Sequence, residues 1–230
     1  MSDTHGFGYD KGRDDYKVIR HVSFHPIRDE DPYGPHYPFW EIYCLKSNYW
    51  RQLNLHHMPT QYNNGVGVHV YTDGACHWWG ETDTHDEVYL VSFYLSNEVF
   101  VKTPMPSNMG DIDIDFNTRL VFRHLNVLNG SIVWISNYAG TTTFHISVLD
   151  EVGVKESWTK LFIVGPLSCV EHPIGVGMKG NIFFIKKDNE LVSYNLSTQR
   201  IEELGVKGGK FSSRTMVYKE SLLPIDGRKN

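Results

Sequence analysis

The amino-acid sequence predicts an all-β protein, a β-propeller of about four four-stranded units, because two local patterns recur along the chain. The first pattern is a hairpin of alternating apolar and polar residues in which a leucine precedes a polar turn. In VSFYLSNEVF this leucine is Leu95, and its equivalents in the other hairpins are Leu45, Leu149 and Leu196. The spacings are 50, 54 and 47 residues, so the period is nearly constant.

The second pattern lies between these hairpins and consists of a strand, a glycine turn and another strand. Its turns are Asp73-Gly74, Asn129-Gly130 and Lys179-Gly180. Asp-Gly and Asn-Gly favour tight hairpins because both central residues take positive φ angles there. Each period therefore carries four strands, and four strands in about 50 residues is typical of a kelch-like propeller blade.

These patterns divide the chain into one domain of successive units between two short tails. The units fall at residues 6–53, 66–106, 119–165 and 174–206, and a final strand follows at residues 213–223. Residues 1–5 and 224–230 are interpreted as tails.

The composition is that of a globular protein and excludes some classes of partner. Hydrophobic residues make up 40% of the 230 residues, enough for a sizeable core. A net charge of −5 argues against nucleic-acid binding, which usually requires a basic face. No apolar run approaches the length of a membrane span, and the N-terminus has no secretion signal, so the sequence predicts no membrane association and an intracellular, cytoplasmic or nuclear protein.

The three cysteines support the same compartment. Cys44, Cys76 and Cys169 are odd in number and stand in apolar, strand-like sequence. We therefore expect three buried free thiols in a reducing environment.

Two motifs that suggest ligand sites are better explained by turns and loops. Residues 175–180 match GxGxxG, but the strand-like NIFFIKK follows them where a dinucleotide site needs a helix. Asp111, Asp113 and Asp115 imitate the start of a calcium loop, but Phe116 and Phe122 stand where the glycine and glutamate of that loop are required. The sequence predicts no cofactor.

Twelve histidines raise the question of a metal site, which the spacing does not support. His21 and His25 could share a strand face, and His69 and His77 could meet across the Asp73-Gly74 turn. A catalytic zinc needs three protein ligands, and the sequence offers no third. There is also no GxSxG motif and no cysteine with an evident basic partner, so no catalytic residue is assigned.

The six tryptophans are interpreted as packing residues because both faces of a propeller blade are buried. Trp50 and Trp158 take the position after the hairpin turn that Phe100 and Ile201 hold in other units. Trp78 and Trp79 point to opposite faces of one strand. The full set is Trp40, Trp50, Trp78, Trp79, Trp134 and Trp158.

The order of several segments resembles a known family. GFGYD, DDYKVIR, IYCLKSNYWRQL, GACHWWG, VSFYLSNEVFVKTPMP, EVGVKESWTKLFIV and LVSYNLSTQRIEEL follow one another as in the plant F-box-associated domain, of the S-locus F-box and F-box-kelch type. The resemblance covers residues 6–223. It implies that the propeller captures the protein to be ubiquitinated, while a helical F-box docks a Skp-type adaptor of a cullin-based ubiquitin ligase.

The sequence departs from this family in its N-terminal part. It shows no leucine-rich helical F-box and no equivalent of the stretch that forms the first blade. We therefore expect adaptor binding only in a full-length form with an F-box. We also expect an incomplete ring in which residues 213–223 are loosely packed or pair with residues 6–24, the alternative being four blades that close on themselves.

Two function classes remain at this stage. One is a protein-interaction module, the substrate-recognition part of an SCF-type ubiquitin ligase receptor. The other is an enzyme or carbohydrate-binding protein on a propeller scaffold. The resemblance and the missing catalytic set favour the interaction module, which is not an enzyme, and leave its substrate and substrate-binding residues unknown.

Overall fold

Four antiparallel sheets of four strands each make up the fold, as the period of the sequence predicts. The computed structural model describes residues 2–22, 39–54, 69–82, 87–106, 121–177, 179–209, 213 and 215. In every sheet the strands pair in chain order, so each sheet is a meander of hairpins. The all-β prediction is confirmed, since the one helical element among these residues is a single 3-10 turn at Lys155–Ser157.

Sheets 1 and 2 hold the first eight strands. The strands are β1 (Ser2–Asp10), β2 (Asp15–Val22), β3 (Phe39–Cys44), β4 (Tyr49–Leu53), β5 (Val70–Thr72), β6 (Ala75–Glu81), β7 (Val88–Tyr94) and β8 (Val99–Pro104).

Sheets 3 and 4 hold the other eight strands. The strands are β9 (Val121–Leu128), β10 (Ser131–Tyr138), β11 (Phe144–Leu149), β12 (Trp158–Val164), β13 (Val170–Val176), β14 (Asn181–Lys186), β15 (Glu190–Asn195) and β16 (Arg200–Lys207).

The turns explain why the repeated residues recur. Asp73-Gly74 and Asn129-Gly130 both have positive φ at each position, 49° and 75° in the first turn and 51° and 87° in the second. The turns that follow Leu45, Leu95 and Leu196 end on Asn48, Glu98 and Gln199, with φ of 51°, 61° and 56°. The leucines themselves close the third strand of each sheet, so the aligned hairpins are the third and fourth strands.

The chain forms two compact units, each with its own apolar core. Unit 1 contains β1–β8 and unit 2 contains β9–β16. The core of unit 1 is made by Ile19, Trp40, Ile42, Leu53, Cys76, Trp78, Tyr89, Val91, Phe93 and Leu95. The core of unit 2 is made by Val133, Ile135, Phe144, Ile146, Val164, Val170, Val176, Ile182, Phe184, Val192 and Tyr194.

Two boundaries lie earlier than the sequence indicated. Residues 2–5 belong to β1 rather than to a tail, because Ser2 pairs with Val22 of β2 and the ladder prevails over the weak strand propensity of SDTH. The fourth unit begins at Val170 rather than at residue 174. Pro173 lies within β13, where an edge strand tolerates a residue that cannot donate to the ladder.

Of the expected final strand, residues 213–223, the structure describes Ser213 and Thr215. Thr215 donates its backbone N–H to the carbonyl of Ile174 in β13 at 2.9 Å, not to residues 6–24. The segment follows β16 directly, so sheet 4 is the nearest partner along the chain. The incomplete ring stays a prediction, with four blades that close on themselves as its alternative.

Candidate protein-binding surface

The histidines that sequence reasoning considered for a metal have structural roles where they are described. His77 is buried, with Nδ1 2.8 Å from Ser92 Oγ and Nε2 3.4 Å from the Thr72 carbonyl oxygen. Burial lowers the pKa of His77 to about 4, so the ring is neutral near pH 7. The residue opposite His77 in the hairpin is Val70 rather than His69.

The other histidine pair is not brought together as a ligand set. His21 packs on the ring of Trp40 with centroids 5.0 Å apart, and His25 lies outside the described residues. Within the described ranges no three side chains of His, Cys, Asp or Glu are grouped as metal ligands.

The two ligand-like motifs have separate outcomes. In GxGxxG, Gly175 and Val176 end β13, Gly177 and Gly180 lie in the turn that leads to β14, and a strand follows at Asn181, as the sequence predicts. Gly180 has φ of +75° at this turn. Asp111, Asp113 and Asp115 lie outside the described residues.

The cysteine prediction is wrong for two of the three thiols. All three are free, but only Cys76 is buried, whereas Cys44 is half-buried and Cys169 is exposed. Cys169 lies in the turn before β13 rather than inside a strand, which accounts for its exposure. Burial raises the pKa of the Cys76 thiol to about 12, so this group is an inert packing residue.

Five of the six tryptophans are buried, as their interpretation as packing residues requires. These are Trp40, Trp78, Trp79, Trp134 and Trp158. Trp50 is half-buried, because it lies on β4 at the sheet edge and is covered by the guanidinium of Arg20 at 3.8 Å from its ring centroid. Sequence position alone made Trp50 and Trp158 equivalent, but their burial differs.

A buried group of charges joins the two sheets of unit 1, and sequence reasoning missed it. Lys17 of β2 is fully buried, with Nζ 2.7 Å from Asp10 Oδ2 and 3.6 Å from Glu98 Oε1. The same Nζ donates to the carbonyl oxygen of Leu95 at 2.7 Å. Lys17 therefore attaches sheet 1 to the Leu95–Glu98 turn of sheet 2.

Surrounding groups complete this cluster. Arg51 of β4 donates to both oxygens of Glu98, at 2.6 and 2.8 Å, and Arg13 donates to it at 3.1 Å. Burial would raise the pKa of Glu98, but Arg51, Lys17 and Arg13 outweigh it and hold this pKa below its usual value. Burial would also raise the pKa of Asp10. Lys17 and the backbone N–H groups of Arg13 and Gly12 outweigh this effect, so the pKa of Asp10 is lowered. Both carboxylates are therefore charged near pH 7.

Exposed apolar side chains collect on the fourth strand of each sheet in unit 2. On β12 these are Leu161, Phe162 and Ile163, the last being 61% exposed. We call this set the β12 patch. On β16 they are Ile201, Leu204 and Val206, the last being 55% exposed, and we call this set the β16 patch.

Both strands that carry a patch lie at the edge of their sheet and are bulged. In β12 the register with β11 shifts beside Leu161, which has no partner in β11. In β16 the register shifts between the pairs of Glu190 and Val192, and Gly205 has φ of +64° within the bulge. Bulges redirect side chains and break the line of backbone groups, so each patch offers apolar side chains rather than a strand edge. The alternating pattern of sequence letters carries no signal for such a bulge.

The fold and its surface can now be compared with known proteins. The family described as the F-box associated beta propeller domain matches residues 1–201 of the chain. This chain belongs to the F-box associated β-propeller family. The resemblance of the sequence segments is thereby confirmed, and so is the β-propeller fold class.

The curated relatives are longer than this chain. It is 26% identical to the F-box protein CPR1 of Arabidopsis thaliana over 248 residues, covering 98% of this chain and 57% of the relative. It is 24% identical to the F-box/kelch-repeat protein At3g23880 of the same species, covering 95% of this chain and 57% of the relative. The chain thus spans about half the length of the curated relatives it matches.

Other comparisons add little about activity. A solved α-L-arabinofuranosidase from Lactobacillus brevis is 12% identical, with a TM-score of 0.36, and the match covers 89% of this chain and 67% of the enzyme. This similarity is too low to bear on function. Among the described residues there is no helix long and apolar enough to cross a membrane.

Proposed function

We propose that this chain is the substrate-binding part of a receptor for an SCF-type ubiquitin ligase. The observation that carries the proposal is the match of residues 1–201 to the F-box associated domain. In this function the sheets hold the protein to be ubiquitinated, in the cytoplasm or the nucleus. A Skp-type adaptor docks on an F-box of the full-length form.

The two patches of unit 2 are the surface we assign to substrate. Ile163 and Val206 are apolar residues that are each more than half exposed, and each lies on an edge strand of its sheet. Burying such groups against a protein gains about 25 cal/mol per Å² of apolar area. Charged residues of β16, among them Glu202 and Lys207, stand next to its patch and supply the polar rim of a protein interface.

The test compares capture by patch variants with capture by matched surface variants. The patch variants carry Ile163→Lys or Val206→Lys. The controls carry Tyr49→Lys or Val99→Lys, which place the same charge on the exposed start of β4 or β8 in unit 1. Each chain is used to capture proteins from an extract of plant cells treated with a proteasome inhibitor.

We expect a set of proteins that the wild type and controls capture and that a patch variant loses by a factor of about 10, as for a residue at the centre of an interface. Overproduction of the wild-type chain should lengthen the half-lives of these same proteins, because it competes with the complete receptor. Captured proteins whose half-lives never change would contradict the ligase role. Capture that is equal for all variants would instead move the binding surface away from the patches.

No observation on the described residues favours an enzyme or a carbohydrate-binding protein. The buried charges of unit 1 are fully engaged with one another, and His77 is neutral and enclosed.

A further inference from the structure

The chain beyond β16 turns back and reaches the first strand of the same sheet. The Gly208 N–H donates to the Asn189 carbonyl at 2.9 Å, and the Ser213 N–H donates to the Gly209 carbonyl at 3.1 Å. The Thr215 N–H then donates to the Ile174 carbonyl at 2.9 Å. Since sheet 4 is ordered β13-β14-β15-β16, the described residues after β16 arrive at the strand on its opposite edge.

The receiving strand is irregular at the point of contact. The pairing of β13 with β14 shifts between Pro173 and Gly175, so Ile174 has no partner in β14. Pro173 has no N–H to donate to a ladder. The bulge therefore presents the Ile174 carbonyl to a donor from outside the sheet, and Thr215 provides that donor with its N–H, while its Oγ1 lies 3.4 Å from the same oxygen.

Gly175 allows the two chain segments to approach this closely. A Cβ atom at residue 175 would lie 1.9 Å from Thr215 Oγ1 and 2.9 Å from the Thr215 carbonyl oxygen. The hydroxyl can rotate, but the carbonyl belongs to the backbone, so any side chain here displaces the segment. A second close approach accompanies it, because a Cβ at Gly208 would lie 2.2 Å from Ser213 Oγ.

We propose that Pro173, Ile174 and Gly175 form a docking site for an extended chain segment, the β13 notch, and that Thr215 of the same chain occupies it. Docking holds the C-terminal segment on sheet 4 and covers part of an otherwise unpaired edge strand. The inference is independent of the ubiquitin-ligase role. It also concerns a part of the chain beyond residue 201, where the family match ends.

Limited trypsin digestion of the full chain tests the notch, since Lys210 and Arg214 are cleavage sites on the segment. The variant is Gly175→Val, and mass spectrometry follows cleavage after Arg214 relative to cleavage after Arg200. The control is Gly180→Ala, in the same hairpin, where φ is +75° and a Cβ meets nothing within 4 Å. We expect cleavage after Arg214 to rise about tenfold in Gly175→Val and to stay unchanged in the control.

Two further variants keep the test decisive if Gly175→Val folds poorly. Thr215→Pro removes the donor N–H. Because trypsin does not cut an Arg–Pro bond, cleavage after Lys210 is followed in this variant, and it should rise relative to cleavage after Arg200. Thr215→Ala removes the hydroxyl oxygen of the closest contact, so the double variant Gly175→Val with Thr215→Ala should regain part of the protection that Gly175→Val loses. Unchanged cleavage in both Gly175→Val and Thr215→Pro would overturn the proposal.

Dilution distinguishes docking within one chain from exchange between two copies. Protection of the Arg214 site should be the same over a hundredfold range of protein concentration, because the segment and the notch belong to one molecule. Protection that disappears on dilution would show that a second copy supplies Thr215, and would refute docking within the chain.

Discussion

The two units differ in the contacts that join their two sheets. In unit 1 the sheets are joined by an apolar core together with the buried charges of Lys17 and Asp10 and the half-buried carboxylate of Glu98. In the described part of unit 2 they are joined by apolar and aromatic contacts, such as the rings of Phe144 and Phe184 at 4.9 Å, and by the stacked imidazoles of His124 and His172 at 6.2 Å. An apolar core tolerates sliding better than paired charges do, so we infer that Lys17 fixes how sheets 1 and 2 are aligned.

The outer strands differ in the opposite sense. β4 and β8 of unit 1 pair with their neighbours without a register shift, and each exposes one large apolar side chain, Tyr49 or Val99. β12 and β16 of unit 2 are bulged, and each exposes three. Unit 1 thus uses charged side chains to hold its two sheets together, whereas unit 2 exposes apolar side chains on the last strand of each sheet.

The largest expected effect is the loss of the buried cation. Lys17→Met leaves Asp10 and the Leu95 carbonyl without their partner, and should lower the free energy of unfolding by about 3–5 kcal/mol. Urea unfolding followed by tryptophan fluorescence measures this. Arg13→Ala is the control, because its contact with Glu98 is exposed and should contribute at most about 1 kcal/mol. Equal decreases in the free energy of unfolding for Lys17→Met and Arg13→Ala would show that the buried charge of Lys17 has no special role in unit 1.

The pKa of His77 in unit 1 makes the free energy of unfolding depend on pH. Its pKa is about 4 in the folded protein against an ordinary value of 6.5, so only the unfolded chain binds a proton between these values. The contribution of neutral His77 to the free energy of unfolding should be fully present above pH 6.5. The free energy of unfolding should then fall by about 3 kcal/mol as the pH decreases to 4. His77→Gln should flatten the profile in this window. A slope that persists in the variant would assign the titration to another group.

The lowered pKa values of Asp10 and Glu98 predict a separate loss at lower pH. Both carboxylates stabilise the fold while they are charged, so this contribution is complete above their ordinary pKa values of 3.8 and 4.5 and disappears as the pH falls through the lower folded values. In Lys17→Met the acid-induced loss should be smaller than in the wild type.

A smaller effect is expected from the close approach of the sheets in unit 1. A Cβ at Gly8 would lie 2.2 Å from the ring of Tyr71 and 2.8 Å from Leu95 Cδ1. Gly8→Ala should therefore cost about 1–3 kcal/mol through overpacking. Gly74→Ala, where φ is +75° but the space is open, should cost about 1 kcal/mol from backbone strain alone. Calorimetric melting of both variants checks the order.

The smallest effect on stability is expected at the patches. Ile163→Lys and Val206→Lys should change the free energy of unfolding by no more than about 0.5 kcal/mol, because both side chains are mainly in solvent. The same denaturation assay applies. A loss of several kcal/mol would show that these residues are packing groups and would remove the patches as a binding surface.

Much of the fold could be predicted because each signal was local. The leucine before the turn and the Asp-Gly and Asn-Gly dipeptides act within a hairpin, so their period gave the four sheets. Lys17 was missed because its partners Leu95 and Glu98 lie about 80 residues away, and a lysine in DDYKVIR resembles any exposed charge. The patches were missed because a bulge at Leu161 depends on the neighbouring strand and leaves no mark in the letters.

The most direct test of the proposal that unit 2 carries the binding surface is hydrogen exchange of the chain with and without a captured protein. We expect amide exchange to slow in β12 (Trp158–Val164) and β16 (Arg200–Lys207) when the partner binds, while β4 (Tyr49–Leu53) and β8 (Val99–Pro104) keep their rates. Slowing confined to β4 and β8, with β12 and β16 unchanged, would contradict the assignment of the binding surface to unit 2.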